Sequence, residues 1–272
     1  MDKKIKKVCI LFDEPKIFRY FAIAINKAMK ENNFKVSLII IRKQGSYQYK
    51  FPLKKEILRL AIILFRRLSW CYSDLLRKIP LDEIENFKDS EKIYCPAIKQ
   101  GKIGTVLPDD VISLIKEKKI DLIIRRGFGI LQGEALKCAP FGVISYHSGD
   151  LRKYRSSMSC VAAYINDEDN VCLTLQKLTN GLDRGEVVWE ERINIKKLWS
   201  YRQLVKAISL GVVNSLSLGI KKMNDPNFRT MQHKFLGKDR NFPNWQNFFK
   251  MVASYIKISI IRRVRRIRFF FE

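Results

Sequence analysis

Histidine is scarce in this chain of 272 residues: there are two, His147 and His233. Cysteine occurs six times, at Cys9, Cys71, Cys95, Cys138, Cys160 and Cys172, and nowhere as a CxxC pair. Metal sites and redox pairs need close, repeated thiol spacing, so no metal is expected and the thiols read as reduced, mostly structural groups. No uninterrupted apolar run approaches the ~18 residues that a spanning helix requires. The basic start is followed by an apolar run that stops at Asp13, too short for an export signal, so a cytoplasmic location is expected. There is no internal repeat and no low-complexity linker. Acidic residues are also few, 27 against 52 basic ones, leaving a net charge of +25. That excess implies attraction to an anion: nucleic acid, phospholipid headgroups or a phosphorylated substrate. It does not choose among them.

What is present is enough apolar material for a core, 47% of the chain, which argues against wholesale disorder. Short apolar runs alternate with helical patterns. Val8–Phe12 reads as a buried strand and Phe18–Lys30 as an amphipathic helix. Val36–Ile41 is apolar on both faces, as parallel strands covered by helices tend to be. Lys92–Cys95 is a short strand, and Pro108–Lys118 is a helix with an acidic first turn favourable to its dipole. Leu122–Ile124 ends in the turn Gly127-Phe128-Gly129, and Val143–Tyr146 is a strand ending at His147. Val171–Leu178 and Glu186–Ile195 are an antiparallel pair around Asn180-Gly181. The whole predicts an α/β fold with a doubly wound, mostly parallel, Rossmann-like sheet.

Two segments stand apart. Within residues 54–90, Lys54–Lys78 is apolar and basic, and reads as a helical insert. Residues 201–272 show helix-like apolar spacing and end in Ser254–Phe271, where Ile256, Ile260, Ile261, Val264, Ile267 and Phe271 alternate with Lys257, Arg262, Arg263, Arg265, Arg266 and Arg268. That helix either packs on the domain with a solvated basic face or lies in the plane of an anionic membrane. The division expected is a domain at 1–200 carrying the insert, followed by a basic helical extension at 201–272.

In open α/β sheets ligands sit beyond the carboxyl ends of strands. Three loops there hold polar groups: Arg125-Arg126-Gly127-Phe128-Gly129, Ser145-Tyr146-His147-Ser148-Gly149-Asp150, and Asn180-Gly181-Leu182-Asp183-Arg184-Gly185. On these residues the stretch Asp121–Ile195 resembles the core of the folate-dependent formyltransferases. That superfamily includes the methionyl-tRNA and sugar-nucleotide N-formyltransferases. The family's "G-x-I-N-x-H" is similar to Gly142-Val143-Ile144-Ser145-Tyr146-His147, its "Y-R" to Tyr154-Arg155, its "G-V-T" to Val171-Cys172-Leu173-Thr174, and its "D-x-G" to Asp183-Arg184-Gly185. The family's Asn is Ser145 here, and its Pro and Gly around the Tyr-Arg pair are Arg152 and Ser156.

The resemblance implies a formyltransferase fold and a formyl transfer from N10-formyltetrahydrofolate to an amine, without a metal. His147 then matches the catalytic histidine, Asp183 the aspartate that orients it, and Ser145 the position of the oxyanion-stabilising asparagine. Arg126, Gly127, Phe128, Gly129 and Ile130 are expected at the folate, and Ser148, Asp150, Tyr154 and Arg155 at the acceptor. Losing one oxyanion donor costs on the order of 10²–10³ in rate. Ser145 therefore acts directly or through water, a neighbour such as Ser148, Arg152 or Arg155 takes over, or the chain no longer catalyses. Arg125 and Arg126 read as a solvated pair or as anion contacts, and His233 as structural. The preferred acceptor is an amino sugar of a surface-polysaccharide precursor, with residues 254–272 on an anionic inner-membrane face. The alternatives are a silent binding module and an RNA-binding enzyme acting on methionyl-tRNA.

Overall fold

The structure is a computed structural model, and it describes residues 4–45, 53, 57–58, 60–61, 74–101, 104–155, 159–181, 184–237 and 245–271. Its frame is one sheet of seven strands: β1 (Lys7–Phe12), β2 (Lys35–Arg42), β3 (Glu91–Cys95), β4 (Leu122–Arg125), β5 (Val143–Ser148), β6 (Asn170–Lys177) and β7 (Glu186–Asn194). The spatial order is β7-β6-β5-β4-β1-β2-β3. β1 to β5 run parallel; β6 is antiparallel to them, and β7, antiparallel to β6, runs in their direction again. The helices are α1 (Arg19–Asn32), α2 (Asp109–Glu117), α3 (Ser159–Ile165), α4 (Tyr201–Met223) and α5 (Trp245–Phe271).

The strand period of two divides each apolar run between two cores. Val8, Ile10 and Phe12 pack with Phe21 and Ile25 of α1 and with Val212, Leu216 and Ile220 of α4. Cys9, Leu11 and Ile123 face the other way, onto Val111, Ile112 and Ile115 of α2. The central strands therefore need apolar residues at every position. Asp121, just before β4, accepts hydrogen bonds from the Lys6 and Lys7 amides at 2.9 Å each, tying the start of β1 to β4.

α4 is long and apolar enough to cross a membrane, yet half of its most apolar window is buried. Two glycines bring it down onto the sheet. A Cβ at Gly211 would stand 2.8 Å from Ile193 Cδ1, and one at Gly219 would collide with Leu175 Cδ2. Although the sequence assigns α4 to a C-terminal extension, its buried residues belong to the same core as β1 and α1.

Smaller pairings were not expected. Lys16–Phe18 pairs with Lys78–Pro80, and Ile130–Leu131 lies parallel to Gly104–Thr105. Of the segment 54–90, residues 54–56, 59 and 62–73 lie outside the described residues. Its later part puts Leu81, Ile84 and Phe87 into the main core.

α5 departs from expectation at Arg262. The alternation predicts that this arginine belongs to a solvated cationic face. Instead it is 3% exposed. Its guanidinium donates to Asp167 Oδ1 at 3.0 Å, to the Glu168 carbonyl at 3.0 Å, to the Leu198 carbonyl at 3.2 Å and to the Ile195 carbonyl. A cation stripped of water is tolerable only with such a set of acceptors. Arg265, which also reaches Asp167, is 57% exposed. Arg262→Met leaves the Asp167 carboxylate and three carbonyls short of a donor, a loss of about 3 kcal/mol. Thermal unfolding followed by circular dichroism should show a Tm lower by about 6–12 °C. Arg265→Met, at an exposed pair, should leave it nearly unchanged.

Candidate functional site

The strand β5 extends through Ser148, so His147 sits within the strand and not in the loop beyond it. Ser145 and His147 lie two apart and share a face. Across the antiparallel pair, Ser145 stands opposite Gln176 and His147 opposite Thr174; one strand further, Thr174 stands opposite Glu190. Ser145, His147, Thr174 and Gln176 are polar, yet all four are buried. Tyr146 points to the opposite face, where its hydroxyl meets Ser215 of α4 at 2.9 Å and burial pushes its pKa up. Ser148 follows Tyr146 in the alternation, so the structure does not bring it to the face of His147.

On the parallel side the pairing Ile124↔Ile144 makes Arg125 the next neighbour of Ser145. Arg125 Nη1 donates to Ser145 Oγ at 3.2 Å, and Ser145 Oγ donates to the Arg125 carbonyl at 3.3 Å. The serine hydroxyl is thereby committed, and a guanidinium is seated on it. On its other side Gln176 is 3% exposed, and its Oε1 has no hydrogen-bond partner among the described residues. Arg125, Ser145 and Gln176 form one polar row across three strands.

His147 Nε2 lies 3.0 Å from the Tyr154 carbonyl. A carbonyl only accepts, so this nitrogen carries the hydrogen. Ser159 Oγ donates to the same carbonyl at 3.1 Å. Residues 149–155 fold over the imidazole, and Gly149 is what lets them approach. A Cβ there would collide with Ser159 and stand 3.3 Å from His147 Nε2. Tyr154 and Arg155 are buried. The Tyr154 hydroxyl donates to Glu168 and accepts from Asn166 Nδ2 at 2.7 Å; burial and then the Glu168 bond raise its pKa. Arg155 Nη1 donates to the Gly237 carbonyl at 3.3 Å.

Charged groups ring this lid. Asp150 Oδ1 accepts from the Arg152 amide at 2.9 Å and from Arg152 Nε at 2.6 Å, and its Oδ2 accepts from Nη2 at 3.1 Å. Arg152 Nη2 also reaches Glu190 at 2.9 Å, and the other oxygen of Glu190 lies 3.0 Å from His233 Nε2. Beside them burial, then Glu190, pushes the Cys172 thiol up to about 12, which makes it an unreactive group at neutral pH.

The expected folate loop wraps around Asp13, whose Oδ1 accepts the Phe128 amide at 2.8 Å. Gly127 is required there, since a Cβ would stand 2.6 Å from Asp13 N. Phe128 and Gly129 both have positive φ, 66° and 63°, and the Phe128 ring is fully buried among α2 and β4 residues. Only the backbone of Phe128 is therefore available to a ligand. Arg126 Nη2 donates to the Tyr20 hydroxyl at 3.2 Å and its guanidinium lies 5.9 Å from the Phe18 ring centre. Ile130 pairs with Gly104. Asp183 lies outside the described residues. Near it Thr179 Oγ1 donates to the Arg184 carbonyl at 3.0 Å, closing the hairpin loop.

A shallow cavity of about 730 Å³ lies elsewhere, lined by Ile23, Asn26, Lys27, Lys30, Phe34 and Asn86. It sits on α1, across the sheet from His147, and brings no reactive group together. Sequence reasoning overlooked Arg125 as the partner of Ser145, and Glu190 as the link between Arg152 and the structural His233. The signal available was strand register: aligning β4 with β5 puts Arg125 beside Ser145.

Burial alone would raise the Asp150 carboxyl, but the bonds from Arg152 outweigh it and hold the pKa below the ordinary 3.8. A depressed carboxylate stabilises the fold fully above its unfolded value, and loses that contribution as pH falls through the folded one. The Tm difference between wild type and Asp150→Asn should therefore be level above that value. Below it, the gap should close as acid is added. A difference that grows in acid contradicts this sign.

No family model matches the chain. A methionyl-tRNA formyltransferase of Borrelia turicatae is 28% identical over 145 residues, 53% of this chain and 45% of that protein. One of Borrelia duttonii is 31% identical over 120 residues, 44% of this chain and 38% of that protein. The chain thus spans less than half the length of each. Among solved structures, a sugar N-formyltransferase from a Shewanella species superposes with a TM-score of 0.54 at 11% identity, over 92% of this chain and 88% of that one. A glycinamide ribonucleotide transformylase from Symbiobacterium toebii does so with 0.53 at 12% identity, over 84% and 94%. Over about half its length the chain is thus similar in sequence to methionyl-tRNA formyltransferases, and it shares the fold of a sugar N-formyltransferase and a glycinamide ribonucleotide transformylase.

Proposed function

We propose that this protein is a cytoplasmic enzyme that moves a formyl group from N10-formyltetrahydrofolate to the amine of an amino sugar. The observation that carries the reading is the half-buried Arg125 bonded to the buried Ser145, beside the buried His147, at the carboxyl rim of a formyltransferase-type sheet. The amine nitrogen bonds to the formyl carbon, the bond from that carbon to N10 breaks, and one proton passes from the amine to the folate nitrogen. A tetrahedral oxyanion forms in between. Two groups here donate hydrogen bonds of the kind that stabilise it: His147 Nε2–H, and the Arg125 guanidinium held at the position of the family's asparagine. In this reading the formyl oxygen takes the place of the Tyr154 carbonyl at His147. Asp183 orients the imidazole, and the turn at 126–130 offers its backbone to the folate. Ser145 acts by seating Arg125. The acceptor meets Asp150, Tyr154 and Arg155 in the lid. The catalytic unit is residues 1–200 with α4 closing its core, and 201–272 continues into the basic α5.

The choice of an amino sugar is supported by the superposition: the Shewanella enzyme, by name a sugar N-formyltransferase, overlaps 92% of this chain. The tRNA reading keeps one observation in its favour, the net charge of +25.

The test is incubation with N10-formyltetrahydrofolate and a panel of nucleotide-linked amino sugars, scoring tetrahydrofolate release. His147→Ala should lower turnover by on the order of 10²–10⁴. Arg125→Leu should lower it by on the order of 10²–10³, the usual loss for one oxyanion donor. The double change Arg125→Leu with Ser145→Asn, which restores an amide donor, should recover most of that second loss. Asp183→Ala is the companion control. Folate binding with no turnover on any acceptor would leave a silent binding module, and release only with charged tRNA would move the acceptor to methionyl-tRNA.

A further inference from the structure

α5 has two apolar faces, and the fold uses one. Phe248, Met251, Tyr255 and Ile258 pack onto α3, α4 and residue Leu58, with Arg262 buried at the end of the same stripe. Phe249, Ile256, Ile260 and Val264 point away and are 62%, 53%, 57% and 46% exposed. At about 100° per residue these four fall within an arc of about 80°, a continuous stripe roughly 22 Å long. Lys250 and Lys257, both exposed, border it on one side and Arg263 on the other. The helix contains no acidic residue. Beside its first turns Leu53, Ile57 and Leu60 add a second exposed apolar set, 76%, 49% and 54% exposed, on a segment whose Leu58 is buried against Phe248.

We infer that this outward stripe of α5 docks the protein on an anionic phospholipid surface, with Phe249, Ile256, Ile260 and Val264 entering the acyl boundary and Lys250, Lys257 and Arg263 meeting the headgroups. Exposed aliphatic side chains in line have no use for a phosphate-rich nucleic acid, whose contacts are made by polar and cationic groups. A second copy of the chain would set two helices without a negative charge against each other, at a like-charge cost. A lipid surface satisfies both halves of the stripe at once, apolar depth and negative charge. The helix lies in the plane and does not cross, since its other face is tied to the fold by Arg262. Each basic residue near such a surface strengthens binding roughly five-fold.

The experiment uses the full chain in co-flotation with vesicles of phosphatidylcholine alone, and of phosphatidylcholine with about a third phosphatidylglycerol. Wild type should partition at least about tenfold more strongly to the anionic vesicles, and less so as salt is raised. Ile256→Asp with Ile260→Asp should abolish flotation while the thermal melt stays unchanged, because both side chains face solvent. Lys250→Glu with Lys257→Glu should weaken it at least about tenfold without touching the apolar stripe. Wild type that ignores the vesicles, or floats equally with neutral ones, overturns the inference. So does an aspartate pair that still floats, or one whose only effect is to dissociate an oligomer in sedimentation equilibrium, which would assign the stripe to a second copy. Binding is read without turnover, so a negative result here leaves formyl transfer standing, and the reverse.

Discussion

The site depends on the register in which β5 lies between β4 and β6. Side chains alternate along a strand, so a slip of one residue would exchange Ser145 and His147 for Ile144 and Tyr146. Backbone bonds at the start of β5 fix its place: Ile123 N donates to the Gly142 carbonyl at 3.0 Å, Leu178 N to the Val143 carbonyl at 2.7 Å, and Phe141 N to the Asp121 carbonyl at 2.9 Å. The core enforces the same choice. Ile144 is fully buried on the α1 and α4 side, and a slip would carry a serine and a histidine there. Each buried polar group left unsatisfied costs about 1–3 kcal/mol. The polar row therefore owes its position to the apolar residues between its members.

From that row a continuous set of contacts leads outward to α5. His147 Nε2 bonds to the Tyr154 carbonyl, the Tyr154 hydroxyl to Glu168, and the Glu168 carbonyl to Arg262 Nη2. The lid over the imidazole and the C-terminal helix thus share one anchor at residues 167–168. A second run of polar contacts, Asp150 to Arg152 to Glu190 to His233, holds the lid to β7. Both histidines of the chain end up on the same side of the molecule, although nothing in their separation along the sequence suggests it.

The alternating order of strands and helices, the antiparallel return at Asn180-Gly181 and the buried fate of the cysteines that are described were legible in the sequence, because each rests on a local pattern. The placing of His147 inside β5 was missed by one or two residues, the usual imprecision of element ends. What local pattern cannot supply is which neighbour a residue meets. Arg125 and Arg126 are adjacent in sequence, yet one sits on Ser145 and the other lies over Phe18; alternation sends them to opposite faces. The same holds for α5. Periodicity finds apolar residues at helical spacing, but Tyr255 and Ile258 face inward while Ile256 and Ile260 face solvent, and Arg262 is buried among residues that look equally cationic. Only the tertiary partner decides.

Serine in place of asparagine reads, from sequence, as the loss of a donor. Geometry gives it another meaning. A serine oxygen stands one bond from Cβ, while an amide nitrogen stands two, so serine leaves a gap where the amide would have been. A guanidinium from the adjacent strand is long enough to occupy such a gap, and Arg125 Nη1 is 3.2 Å from the hydroxyl that made room for it. An asparagine at 145 would compete with that side chain for the same space, so the two arrangements exclude each other. The guanidinium also brings a permanent charge, which the amide lacks, to the edge of this polar row. The substitution at 145 and the arginine at 125 are therefore one feature of this chain, divided between two strands.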